Sequence, residues 1–219
     1  MSDRSGADAP PCRVLIVGAG GFGREVRWWA RDAWQGTRTV IVGFLDADPS
    51  RGRDDLPVLG DPDTYRPGPD EACLLAVGIP LVRRRLAEGL LSRGARFVSL
   101  VHPTAIVAPS ARIAPGAVIC PSAVVSDAAR IGPCALVNYH ASVAHDATVG
   151  AFAVLSPYAA LGGGACVGED AFLGLHASVG PGRTLGDRSK VSANSCALAD
   201  VPPDSLVHGV PGRVTRIVS

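Results

Sequence analysis

The sequence predicts a small parallel α/β domain followed by an all-β parallel solenoid. Sixteen consecutive hexads run from Ala105 to Asp200 without an insertion. A G-x-G-x-x-G segment at 18–23 lies between an apolar run and a helical pattern. Only 5% of the residues are aromatic, which suits a narrow coil that has little room for rings.

All sixteen hexads have an aliphatic third residue, and all but the one that begins at Arg183 have a small first residue, alanine in the first thirteen. A period of six fits neither a helix nor a two-residue alternation, but it does fit a short strand plus a corner. No single turn can bury its own apolar side, so stacked turns make one continuous core. The predicted core positions are Val107, Ile113, Ile119, Val125, Ile131, Val137, Val143, Val149, Leu155, Leu161, Val167, Leu173, Val179, Leu185, Val191 and Ala197.

Three segments are expected: a frayed terminus at 1–12, a Rossmann-like domain at 13–101 and a coil with a tail at 102–219. The first domain reads as strands at Arg13–Val17, Thr39–Asp48, Glu71–Gly78 and Ala95–Val101, with helices after the first and third. Strands that alternate with helices imply a parallel sheet, here half of a Rossmann fold.

Charge and cysteine usage exclude several classes of protein. The net charge of +1 gives no basic field for nucleic acid or a membrane surface. The chain shows no signal peptide and no apolar run of membrane length, so we expect a cytoplasmic protein. Its six cysteines form no metal-type cluster. We interpret them as small buried or corner thiols in a reducing cytosol, and we expect no metal.

The glycine-rich turn predicts a phosphate site. Glycines between a strand and a helix let a phosphate approach backbone N–H groups. Asp46 or Asp48, after the second strand, would contact a ribose or a base. A dinucleotide such as NAD needs two βαβαβ halves, so a nucleotide sugar fits this single half better. The alternative is a structural turn that binds no ligand. The turn residues are Gly18, Gly20, Gly21, Phe22 and Gly23.

Histidines in the repeat are the candidates for acid–base chemistry. His145 lies at a predicted corner and precedes Asp146, and a carboxylate on one imidazole nitrogen makes the other a general base. The alternative is a solvated surface pair. His140 and His176 are 36 residues apart with Tyr158 midway between them, so we expect an outer polar column if residues eighteen apart stack.

The layout from Arg13 to Arg213 resembles the hexapeptide-repeat sugar acyltransferases. The similarity is to the bacillosamine-type nucleotide-aminosugar N-acetyltransferases and the sialic acid O-acetyltransferase group. Their Asn, followed seven residues later by a catalytic His and an acid, matches Asn138, His145 and Asp146. The resemblance implies a left-handed β-helix in which residues eighteen apart stack, and a homotrimer that uses acetyl-CoA.

The same resemblance implies where acetyl-CoA binds. The backbone amide that faces the thioester falls on Gly163, although a glycine there could also serve only to turn the corner. The F-[LI]-G motif predicts that Gly174 and the following Leu175 contact the cofactor. The late G-[NV]-P-[AG]-[KR] motif predicts that Pro211 and Arg213 lie near the cofactor's nucleotide end. Transfer would be direct, without an acyl-enzyme.

Departures from the family pattern concern both substrates. Phe22 stands where a histidine that touches the sugar nucleotide is common, and Gly78 is followed by an apolar residue where a polar one is usual. Val154 stands where a second histidine is common, which concerns thioester binding. Arg83 is in place to meet a phosphate, or it is a helix-surface charge. The alternatives to amine acetylation are O-acetylation of a sugar hydroxyl and a non-catalytic coil that binds a nucleotide sugar.

Overall fold

A computed structural model describes residues 13–53 and 55–217. The predicted frayed segment 1–12 lies outside the described residues. The N-terminal sheet is parallel with the order β3-β2-β1-β4. Its elements are β1 (Arg13–Val17), α1 (Gly21–Ala33), β2 (Val40–Leu45), β3 (Val58–Gly60), β4 (Glu71–Leu75) and α2 (Pro80–Ser92).

Two parts of this sheet differ from the sequence prediction. Strand β3 was not predicted, because three residues give too short a pattern to recognise. The predicted strand Ala95–Val101 is divided between the two domains. Phe97 bridges Cys73 in the N-terminal sheet, whereas β5 (Leu100–Val101) already pairs with Val118 and Ile119 in the solenoid.

The hexads form the predicted solenoid, in which each two-residue strand pairs in parallel with the strand eighteen residues later. A final hairpin, β22 (Ser205–His208) and β23 (Arg213–Arg216), closes one side. The repeat strands β6 to β21 are Ile106–Val107, Arg112–Ile113, Val118–Ile119, Val124–Val125, Arg130–Ile131, Leu136–Val137, Ser142–Val143, Thr148–Val149, Val154–Leu155, Ala160–Leu161, Cys166–Val167, Phe172–Leu173, Ser178–Val179, Thr184–Leu185, Lys190–Val191 and Cys196–Ala197.

Three faces result from the three sheets of the coil. We call the sheet of β5, β8, β11, β14, β17 and β20 the helix-covered face, because α1 and its neighbours pack on it. The sheet of β6, β9, β12, β15, β18 and β21 is the uncharged face. The sheet of β7, β10, β13, β16 and β19 is the polar face.

The inside of the coil confirms the predicted core. The first-position alanines and third-position aliphatic residues of successive turns form one buried cluster, extending from Ala117 to Val207. Second-position side chains point outward, yet Val118, Leu136 and Val154 are also buried, because the N-terminal domain covers them. Packing on this face fixes the N-terminal domain against the solenoid. None of the helices in residues 13–53 and 55–217 is long and apolar enough to cross a membrane.

Candidate active site

His145 lies on the corner that joins the uncharged face to the polar face, between β12 and β13. Its Nδ1 is 2.9 Å from Oδ2 of Asp146, and both side chains are 68% exposed. The Asp146 backbone has φ +60° and its N–H donates to the carbonyl of Asp127. The coil therefore holds the pair rigidly at its base while leaving the imidazole open to a ligand.

The contact between the two side chains defines the chemistry of His145. A carboxylate only accepts hydrogen bonds, so the Nδ1 that faces Asp146 carries the proton. Nε2 is then the acceptor, and it faces away from Asp146. An exposed neutral imidazole with this tautomer can take a proton from an attacking amine or hydroxyl.

Gly163 lies directly against this imidazole, one coil above it. A Cβ built on Gly163 would be 2.5 Å from Nε2 and 2.6 Å from Cε1 of His145. The fifth hexad position accepts side chains elsewhere, as in Tyr139, Ala151 and Pro157. The absence of a side chain at Gly163 thus leaves room for the imidazole, and a role as a corner glycine alone stays an alternative. Its N–H makes no hydrogen bond within the part of the chain that the structure describes.

Gly163→Ala is expected to lower kcat at least tenfold without loss of stability. The added methyl meets only the end of an exposed side chain, so the imidazole moves and the backbone does not. Steady-state kinetics and thermal melting of the variant measure the two effects.

Gly180→Ala is the matched control, since its Cβ would meet no atom closer than 3.4 Å. Equal activities of the two variants would contradict the assigned role of Gly163.

Asn138 does not meet His145 within one chain. It lies on the next corner, between the helix-covered and uncharged faces, where its Oδ1 accepts from the N–H of Tyr139 at 2.8 Å. Gly174 and Leu175 lie on the same corner as Asn138, two coils further on. We call residues 138–140, 156–158 and 174–176 the aromatic corner. The predicted acetyl-CoA residues are thus divided between two corners of the coil.

Pro211 and Arg213 lie at the end of the solenoid. They belong to the turn and second strand of the closing hairpin, where Arg213 pairs with His208. A Cβ on the intervening Gly212 would lie 2.2 Å from the Cys196 carbonyl, so this turn packs directly on the uncharged-face strand β21. The hairpin therefore extends from the helix-covered face towards the uncharged face.

The predicted polar column is present on the aromatic corner. The ring of Tyr158 stacks between His140 and His176, with centroids 4.8 and 4.6 Å apart and interplanar angles of 13° and 7°. Each ring comes from one coil. Sequence reasoning missed its lateral partner Tyr139, which contacts Tyr158 edge-on at 6.3 Å.

The glycine-rich turn has the close packing of a phosphate-binding turn. A Cβ on Gly23 would lie 1.9 Å from the carbonyl of Gly18, so any side chain there breaks the turn. Gly20 is the N-cap of α1, without a side-chain cap or an acid in the first turn, which leaves N–H groups available to an anion. Phe22 packs edge-on against Trp29 at 5.9 Å.

The two candidate acids differ in role. Oδ2 of Asp46 accepts from the N–H of Ala19 at 2.8 Å, and Oδ1 accepts from the N–H of Asp48, so this carboxylate braces the glycine-rich turn. Asp48 caps the 3-10 helix Pro49–Arg51, and its hydrogen bonds from Ser50 lower the pKa of its carboxyl. Asp46 lines a cleft of about 160 Å³ with Gly18.

Arg83 is neither a surface charge nor part of this cleft. Its side chain is fully buried and donates to the carbonyls of Cys134, Leu75 and Val77 at 2.6–3.3 Å. Burial lowers the pKa of its guanidinium to about 10. The predicted phosphate contact is thus corrected to a link between the two domains. Arg85, which the sequence analysis missed, is the arginine that lines the cleft.

Gly78 and the cysteines complete the predicted set. Gly78 precedes α2, and nothing would lie within 4 Å of a Cβ there.

Cys120 and Cys134 are buried as expected, and burial raises the pKa of both thiols. Cys166 is exposed as the first residue of a two-residue strand, so its interpretation as a buried or corner thiol is wrong. In the described ranges no three His, Cys, Asp or Glu side chains form a metal-type group.

A parallel α/β domain docked on hexapeptide coils that present a His–Asp pair defines the class of hexapeptide-repeat acyltransferases. Residues 13–90 match the PglD N-terminal domain. The chain is 37% identical over 109 residues to the UDP-N-acetylbacillosamine N-acetyltransferase of Bacillus subtilis (strain 168), a match covering 48% of this chain and 50% of that protein. The chain thus spans about half the length of this curated relative.

Solved structures match over nearly their whole length. A mutant of the Caulobacter crescentus perosamine N-acetyltransferase, in complex with CoA and GDP-perosamine, is 33% identical with a TM-score of 0.85, covering 92% of this chain and 96% of that one. The acetyltransferase domain of Neisseria gonorrhoeae FA1090 PglB, in complex with acetyl coenzyme A, is 31% identical with a TM-score of 0.85, covering 94% and 100%. The chain belongs to the PglD-type nucleotide-aminosugar N-acetyltransferases with a hexapeptide-repeat β-helix.

Proposed function

We propose that this chain transfers the acetyl group of acetyl-CoA to the amine of a nucleotide-linked amino sugar, with His145 as the general base. The observation that carries the proposal is the exposed imidazole held by Asp146 against a free Gly163 N–H. The relatives named above are N-acetyltransferases, which favours an amine over a hydroxyl acceptor.

In the proposed acyl transfer, the protein groups that act are His145, Asp146 and the backbone N–H of Gly163. The acceptor enters as the free amine, and its nitrogen attacks the thioester carbonyl. Nε2 of His145 takes the proton that the nitrogen loses, while Asp146 stabilises the imidazolium. The Gly163 N–H donates to the oxyanion of the tetrahedral intermediate. Collapse expels the CoA thiolate, which receives the proton back from His145, so the products are the amide and the CoA thiol.

The direct test is a substrate screen with detection of the released thiol. Acetyl-CoA is offered with UDP-, GDP- and dTDP-linked amino sugars, and with matching sugars that carry only hydroxyl groups. We expect thiol release with at least one amino sugar and only background release with the hydroxyl acceptors. Preferred turnover of hydroxyl acceptors would overturn the assignment of the amine, and no turnover with any acceptor would favour a binding protein.

A second copy of the chain would complete the site. Asn138, Gly174 and Leu175 are one corner away from His145 and Gly163, and the uncharged face lies between the two corners. A CoA molecule in the groove between the solenoids of two copies would touch one corner of each copy. The uncharged face between these corners suits such a contact. Its outward residues are Ile106, Val124, Ser142, Ala160, Ser178 and Cys196, of which Ile106 is 67% exposed.

Sedimentation is expected to give a trimer, about three times the chain mass of 22.4 kDa. Three solenoids around a threefold axis form a closed assembly that leaves no contact surface open. Analytical ultracentrifugation at micromolar concentration measures the mass directly. A monomer under those conditions would rule out active sites shared between copies.

Calorimetric titration is expected to show that UDP, GDP or dTDP binds the N-terminal domain at least tenfold more tightly than NAD. The four-stranded sheet supplies only one mononucleotide half of a dinucleotide site. Gly20→Asp should weaken binding at least tenfold by adding a negative charge to the phosphate turn, where nothing lies within 4 Å of the new Cβ.

Gly20→Ser is the matched control, because serine also caps a helix but adds no charge. Tight NAD binding without any response to the nucleoside diphosphates would contradict the proposed nucleotide-sugar site.

A further inference from the structure

We infer that the stacked rings of His140, Tyr158 and His176 form the subsite that recognises the sugar ring of the acceptor. This inference rests on the proposed function, which gives the chain a nucleotide-linked sugar as its substrate. It locates the sugar ring at the aromatic corner and names the side chains that recognise it, and these differ from His145, Asp146 and Gly163.

An unbroken chain of ring contacts leads from the phosphate turn to these three rings. Phe22 is the second residue of α1, one turn from the N–H groups that would face a diphosphate. Its ring contacts Trp29 at 5.9 Å, Trp29 contacts Tyr139 at 6.3 Å, and Tyr139 contacts Tyr158 at 6.3 Å. The half-buried rings of Phe22, Trp29 and Tyr139 therefore connect the phosphate turn to the column by direct contact.

The column offers polar edges rather than flat ring faces. Both faces of Tyr158 are covered by the imidazoles above and below it. All three residues are exposed, and their ring nitrogens and hydroxyl make no hydrogen bond within residues 13–53 and 55–217. The column is thus a row of rings that carry hydrogen-bonding groups, one ring per coil, with neighbouring ring centroids less than 5 Å apart.

This combination matches the chemistry of a pyranose ring. A pyranose has hydroxyl and amine groups around its rim and C–H groups on its faces. The imidazole and phenol edges can donate to and accept from the rim, while Tyr139 and Trp29 offer apolar surface to a face. Stacking also fixes the three rings before a ligand arrives, which reduces the entropy lost on binding.

The column also lies where the reaction requires the acceptor. It shares the aromatic corner with Asn138, which the family motif places in the catalytic set, and with Gly174 and Leu175, the predicted acetyl-CoA contacts. A sugar held at this corner presents its amine to the corner histidine of a second copy. His140 and His176 are therefore assigned to acceptor binding and not to proton removal.

Two substitutions of Tyr158 separate the contribution of its hydroxyl group to sugar binding from the contribution of its ring. Tyr158→Phe keeps the stacking and is expected to raise KM for the amino-sugar nucleotide about tenfold, the effect of one hydrogen bond. Tyr158→Ala and His176→Ala should raise it further, with the affinity for acetyl-CoA and for the bare nucleoside diphosphate within twofold of wild type. Trp28→Ala is the control, since this half-exposed ring lies on α1 outside the ring chain.

A binding measurement distinguishes failure of the subsite from failure of the proposed function. Calorimetry compares UDP with UDP-N-acetylglucosamine, and GDP with GDP-mannose, on wild type and on Tyr158→Ala. The subsite predicts that the variant loses the affinity gained from the sugar, whether or not any acceptor is acetylated. Unchanged sugar-nucleotide affinity and KM in both Tyr158 variants would overturn the inference, as would a rise in KM confined to acetyl-CoA.

Discussion

Replacing His145 with alanine is expected to lower kcat by about 10²–10⁴-fold, the contribution of a general base. Folding should be unaffected, because the side chain is 68% exposed and lies outside the aliphatic core, so its removal opens no cavity. The affinity for acetyl-CoA should also stay within twofold. Steady-state kinetics, calorimetry and thermal melting measure the three quantities.

Neighbouring variants give this result its internal controls. Asp146→Ala should cost less than the loss of His145, since an unassisted imidazole still accepts a proton, and Ala128 shows that alanine tolerates the left-handed backbone of this corner position. His140→Ala and His176→Ala should also be milder. If His145→Ala retains more than about a third of the wild-type rate, far above what loss of a base permits, His140 becomes the next candidate.

Arg83→Met is expected to lower the free energy of unfolding by about 2–5 kcal/mol. The carbonyls of Cys134 and Val77 accept no other hydrogen bond from the described residues, and an orphaned buried acceptor costs about 1–3 kcal/mol. Methionine fills the volume of the stem but donates nothing. Urea denaturation at fixed protein concentration gives the difference in stability.

Arg85→Met is the matched control on the same helix, because its exposed ion pair with Asp63 is worth at most about 1 kcal/mol. Nucleotide titration of the Arg83 variant adds a second test. A stable Arg83→Met protein that has lost nucleotide binding would restore the phosphate contact that the structure argues against. Equal stabilities of the two variants would show that the buried guanidinium does not hold the domains together.

Much of the fold was predictable because a fixed period carries its own geometry. A hexad with an aliphatic third residue can bury that residue only by stacking on the next coil, so the repeat predicted the solenoid and its strands. The eighteen-residue register came from the resemblance to the hexapeptide-repeat acyltransferases, and the strand pairing confirms it. The glycine-rich turn was equally clear, since Gly23 must approach the Gly18 carbonyl. The short strand β3 and the division of the segment 95–101 were not predictable, because isolated segments of two or three residues lack a pattern.

The candidate site was predicted in part. The spacing of His140, Tyr158 and His176 predicted their column, and adjacency in sequence predicted the contact between His145 and Asp146. The space that Gly163 leaves for the imidazole could not be read from the hexad alone, because glycine at a corner has several uses.

The sequence by itself determined the period, and the period determined that the aliphatic residue of each hexad faces one continuous core. Only the tertiary structure decided which residues meet across the domains. Arg83 is buried because the coil places the Cys134 carbonyl beside α2, and Trp29 contacts Tyr139 because α1 packs on the helix-covered face. Such contacts join residues that are distant in the chain, and no local pattern records them.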